Sequence, residues 1–188
     1  MKNARFKFSA KRVATAGIFL ALALIVSLIE NMLPPIIPAL PYAKIGLGNV
    51  VLLACFLTLG VWEGYIVLAL RSLLNAVFAG NIASMAWSLP SAIVAYTLMV
   101  LLFKTRFFSV CGVSVVGGIG HNLVQILVSM ALVGKSVVVY LPYMALAGAL
   151  AGLVTGIVCY FICKSVIPKV FKTSEEIEYH RQTDSGEE

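Results

Sequence analysis

Charge is what this sequence has least of. Of its 188 residues, 12% are Asp, Glu, Lys or Arg, about half the ~25% usual in soluble domains. Aspartate is almost missing, since Asp184 in the tail is the only one. Prenyl-chain synthases hold magnesium diphosphate on clustered aspartates, so the chain lacks the ligands for that chemistry. No glycine-rich loop ends in Lys-Ser or Lys-Thr, which excludes an ATP site of that type. No Cys or His spacing suits a metal, and Cys55, Cys111, Cys159 and Cys163 all fall in apolar runs, as small apolar filler. No enzyme activity, cofactor or nucleic-acid partner is expected.

What fills the chain instead is apolar residue, 61% of it, in runs too long and too many for a soluble core. The pattern predicts an all-α polytopic membrane protein with six transmembrane helices in a domain over residues 13–167. A basic segment (1–12) precedes that domain, and an acidic, disordered tail (168–188) follows it. The helices are expected over about Val13–Leu33, Ile45–Val61, Glu63–Ala79, Ile82–Phe103, Phe107–Val133 and Tyr140–Ile167. The first run has no small-residue cleavage site behind it, so it reads as a retained helix. Four prolines in PPIIPALP exclude helix between the first two spans. That apolar, non-helical stretch suits a flap over a cavity.

From Thr173 onward six acids face one Arg, a balance of −5, while the rest of the chain carries thirteen Lys/Arg against Glu30 and Glu63, a balance of +11. That excess suits an anionic membrane surface. With six helices both termini share a side. That side then holds eleven cations, and the other holds only Lys44 and Lys135, which places both termini in the cytoplasm.

Polar residues inside the runs carry the functional argument. The stretch GGIGHNLVQ places His121, Asn122 and Gln125 mid-helix, on or beside one stripe that lipid cannot cover. Arg71 and Asn75 lie one turn apart on the third helix, Ser84, Ser88 and Ser91 form a stripe with Trp87 on the fourth, and Asn49 opens the second. Glu30 and Asn31 end the first. Topology brings these to the middle and outer half of the membrane, as a cavity open to the outside. Arg71 has an alternative role as a bundle lock paired with Glu30, and His121 and Asn122 one as interhelical glue. Arg71, His121 and Lys44 against the single Glu30 lean toward an anionic ligand, with Trp87 and Tyr42 able to stack on a ring. Glu63 opens the third helix, where an acid suits the helix N-terminus. Ala10, Ala14, Gly17 and Ala21 make small-xxx-small pairs on the first helix, and Gly148, Gly152 and Gly156 repeat that spacing on the sixth.

The succession ENMLPP, KIGLGN (Lys44–Asn49), LALRSLLNAVFAG around Arg71, and GVSVVGGIGHNLVQ resembles the Gx transporter family over about Val13 to Ile167. That family is also labelled heptaprenyl diphosphate synthase component I. It is similar to the S-components of energy-coupling factor (ECF) vitamin transporters. The resemblance implies a six-helix bundle in the bacterial cytoplasmic membrane, with a small organic ligand captured from outside under the first loop. It also implies helix 1 small residues, here Ala10, Ala14, Gly17 and Ala21, docking on a shared transmembrane coupling subunit that carries ATPase subunits. The alternative it implies is a membrane subunit associated with heptaprenyl diphosphate or isoprenoid-quinone synthesis.

Overall fold

A computed structural model describes residues 10–33, 44 and 46–165, the side chains of Cys163 and Ser165 excepted. The basic residues 1–9, the proline-rich cover with Tyr42, the expected helix start at Ile45 and the acidic tail lie outside the described residues. Six α-helices follow in order: α1 (Ala10–Met32), α2 (Asn49–Thr58), α3 (Val61–Phe78), α4 (Met85–Thr105), α5 (Val110–Leu132) and α6 (Leu141–Ser165). Short 3-10 segments, Ile82–Ser84 and Lys135–Tyr140, lead into α4 and α6. No strand occurs among the described residues.

Five of these helices are long and apolar enough to cross a bilayer, which makes the chain a multi-pass membrane protein by length and composition. The sixth expected span is different. α2 has ten residues, or roughly 15 Å at 1.5 Å per residue, half the hydrocarbon thickness. The cause is local: Gly46 takes φ +87° and residues 47–48 form a turn, so helix cannot begin before Asn49. The chain nevertheless returns along α1. At one end Gly46 N donates to Glu30 Oε1 of α1, and at the other Arg12 Nη2 donates to Leu59 O, 2.6 Å away.

The α2–α3 turn explains Glu63. It stands in the first turn of α3, as the sequence suggests, but caps nothing through its side chain. It pairs with Arg12 at 2.7 Å instead, tying the start of α1 to the start of α3. Beneath that link Tyr96 of α4 donates to Val61 O at 2.9 Å, and Gly64 leaves the space its ring occupies. Tyr96, Leu52, Leu53, Leu68, Met99 and Val113 form the main core among α2 to α5.

α5 packs along both α4 and α6. The α6 glycines are used up in that contact. Cβ atoms added at Gly152 or Gly156 would lie 2.6 Å from Val115 Cα and 2.7 Å from Cys111 Cα. Two hydrogen bonds run through the same seam, Ser114 Oγ to Thr155 Oγ1 at 2.8 Å and Asn122 Nδ2 to Met144 O at 2.9 Å.

Lys104 and Lys135 are exposed at opposite ends of α5. In a background free of native cysteines, Lys135→Cys is expected to react with impermeant thiol reagents from outside the cell, and Lys104→Cys only after permeabilisation. External labelling at position 104 inverts the topology.

Candidate functional site

The turn before α2 is the seat of the site. Asn49 N donates to Gly46 O at 3.0 Å, closing the turn. A Cβ on Gly46 would sit 3.0 Å from His121 Cδ2 and 3.1 Å from Asn49 Nδ2, so the backbone lies directly against both side chains. A Cβ on Gly48 would overlap the Arg71 guanidinium. The two glycines therefore seat one polar group of α5 and one of α3. Glu30 closes the α1 side through its bond from Gly46 N.

α5 supplies the opposite wall. Lys44 N donates to Gln125 Oε1 at 3.0 Å, and Gln125 Nε2 lies 3.2 Å from His121 Nε2, one turn away. An amide nitrogen only donates, so His121 Nε2 accepts, and the neutral ring then carries its proton on Nδ1. The Ser91 main chain of α4 reaches the same ring. Arg71 Nη1 and both amide atoms of Asn49 have no hydrogen-bond partner among the described residues; Ser88 Oγ on α4 has none either. Arg71 is 5% exposed, His121 2%, Asn49 4% and Ser88 6%, so water does not satisfy these groups from outside. A buried donor without a partner costs about 1–3 kcal/mol, and several around one turn describe a place built to be filled.

The Arg71–Glu30 pairing does not form directly. Among the described residues Arg12–Glu63 is the ion pair, and Glu30 acts on Arg71 only at longer range. Lys44 lies just before the glycine turn. Burial pulls its ammonium below the ordinary 10.5; Glu30 opposes the shift and Arg71 adds to it.

The structure thus gathers Glu30, Lys44, Asn49, Arg71, His121 and Gln125 around the glycine turn. It sends other expected residues elsewhere. Asn122 turns to α6, where its Nδ2 meets Met144 O. Trp87 Nε1 donates to Ser129 Oγ at 2.9 Å and joins α4 to α5. Asn75 Oδ1 accepts from Asn31 Nδ2 at 2.8 Å, linking α3 to α1. Ser88 stays buried beside Ser91, which bonds back to the main chain. Sequence reasoning did not single out Gly46 and Gly48 as site residues. The G-x-G-N pattern ahead of an apolar helix was the available signal. Buried Ser72, one residue from Arg71 and also without a partner among the described residues, was missed as well.

The proposed docking residues occupy a separate surface. Ala10, Ala14, Gly17 and Ala21 are all exposed on α1, and nothing lies within 4 Å of a Cβ added at Gly17.

These features define a helical multi-pass membrane protein with a buried polar site between α1, α3, α5 and a glycine turn. The model of the heptaprenyl diphosphate synthase component I family matches residues 19–162, and the chain belongs to that family. No curated protein matches it.

Proposed function

We propose that the chain is a ligand-binding membrane subunit that takes a small organic molecule into the Arg71 site, in the manner of an ECF S-component. The observation that carries this reading is the set of buried polar side chains of Arg71, His121 and Asn49 packed on the Gly46–Gly48 turn, with Arg71 Nη1 and the Asn49 amide lacking a partner among the described residues. Intramembrane ionisable groups are costly and ordinarily mark a ligand or ion site. In this reading the ligand enters from outside the cell, and the chain adds no chemistry. Energy comes from a transmembrane coupling subunit with ATPases, docked on the small-residue face of α1. That face is open, whereas the glycine face of α6 is already spent on α5.

A second reading follows from the family's description: a membrane subunit associated with heptaprenyl diphosphate synthesis, its site holding a lipid-like diphosphate. Family membership supports this reading, and the site geometry supports the first. Affinity purification of the solubilised chain from its native membrane separates them. ATPase and coupling subunits in the complex support import, and a prenyltransferase in their place supports the second.

Docking has its own test. Gly17→Val and Ala21→Val add bulk to an exposed helix face, so each variant is expected to fold and to lose the coupling subunit on copurification. Full retention of the partner by both variants removes α1 as the docking surface.

A further inference from the structure

The charge and the hydrogen-bond directions of the Arg71 site narrow the class of ligand it accepts, given the ligand-binding reading above. Two cations, Arg71 and Lys44, meet one acid, Glu30, around the turn. The adjoining segment 34–43 and Ile45 add no charged residue. The cluster therefore carries a surplus of one positive charge. Two donors of the cluster, Arg71 Nη1 and Asn49 Nδ2, have no partner among the described residues. Asn49 Oδ1 is an acceptor in the same position, and Asn122 Oδ1 is another on the α6 side of α5.

We infer that the group bound at the Arg71 guanidinium, beside the Gly46–Asn49 turn, is a monoanion of the carboxylate type, and not a diphosphate. An ionised carboxylate offers about four lone-pair positions and no donor, which matches the donors left open. Its single charge brings the buried cluster to neutrality. A diphosphate would bring several negative charges against one surplus positive charge, and an uncompensated charge away from water is strongly unfavourable. A guanidinium also bonds a planar carboxylate more favourably than an ammonium does.

The test uses the full chain in detergent at low salt, with sodium formate and sodium pyrophosphate as probes at matched ionic strength. A ligand that binds only the folded state raises the melting temperature. Formate is expected to raise it and pyrophosphate to leave it at the ionic-strength control. Arg71→Gln is expected to abolish the formate shift, or to raise the formate concentration giving half the shift by about tenfold or more. If Arg71→Gln does not fold, Asn49→Ala takes its place and is expected to weaken the same shift. Greater stabilisation by pyrophosphate, lost in these variants, overturns the monoanion inference and leaves the binding site standing. No stabilisation by either salt, or shifts that both variants keep, overturns the site reading with it.

Discussion

Gly152→Val is expected to cost the protein about 3 kcal/mol or more, the upper end of overpacking penalties. Expressed as melting temperature, this is a fall of roughly 6–12 °C for a chain of this size. The size of the effect follows from what the new side chain would meet. Its Cβ would lie 2.6 Å from both Ser114 O and Val115 Cα, and these are main-chain atoms of α5 that cannot rotate away. Gly148 faces Gly118 O at 2.5 Å from its own missing Cβ, so the seam is equally tight one turn earlier. Relief requires α6 to back off α5. That movement stretches the Ser114–Thr155 and Asn122–Met144 hydrogen bonds, both buried. Between membrane helices, packing of this kind and interhelical hydrogen bonds supply the attraction, because lipid is as apolar as the helix surfaces. Gly17→Val is the matched control: the same change, in a helix of similar length, where nothing stands within 4 Å. Its melting temperature is expected to stay within about 2 °C of wild type, the range of a surface substitution. Equal melting of the two variants would mean that the α5–α6 seam is not formed in the protein.

That contrast also marks how far the sequence could be read. Helix positions followed from apolar run length, and four-residue glycine spacing on α6 announced close packing. Spacing alone left open whether the partner was inside the bundle. The same pattern on α1 is exposed and on α6 is buried against α5, and only the three-dimensional arrangement separates the two. The polar residues were legible for a different reason: Arg71, His121 and Glu30 stand out because lipid makes them expensive. Their partners were not legible. Asn122 sits next to His121 in sequence, yet the 100° step of a helix turns it to Met144 on α6 while His121 meets the glycine turn. Trp87 read as a ring for stacking on a ligand, and its hydrogen bond from Nε1 to Ser129 was not legible. The shortness of α2 was the largest departure. Ile45 to Val61 is apolar enough to be a span, but the positive φ of Gly46 and the turn at Gly48 withdraw the first residues from the helix. Those are the residues that approach Arg71 and His121. The break in the helix and the making of the site are one event.

Arg71→Gln is expected to lose the copurifying ligand while leaving the empty protein as stable as wild type, or more so. The two halves of this expectation have separate causes. Losing a charge-assisted contact to a buried anion costs about 2–5 kcal/mol, or roughly 30-fold or more in affinity. Stability behaves differently because Arg71 is 5% exposed and has no carboxylate paired with it among the described residues. Replacing an unpaired buried cation by a neutral amide removes a desolvation penalty and breaks no ion pair. A residue locking the bundle through Glu30 predicts the reverse. Breaking a buried pair costs about 3–5 kcal/mol, and the surviving folded protein then binds normally. Gly48→Ala probes the same place without touching any charge. Its methyl would overlap the guanidinium, so Arg71 must move from its seat, and ligand is expected to be lost again. Native mass spectrometry of the solubilised chain reports the bound ligand, and a melting curve on the same preparation reports stability. Retention of ligand by both variants with a sharply lowered melting temperature would make Arg71 a structural strut and leave the orphaned donors around it without a purpose.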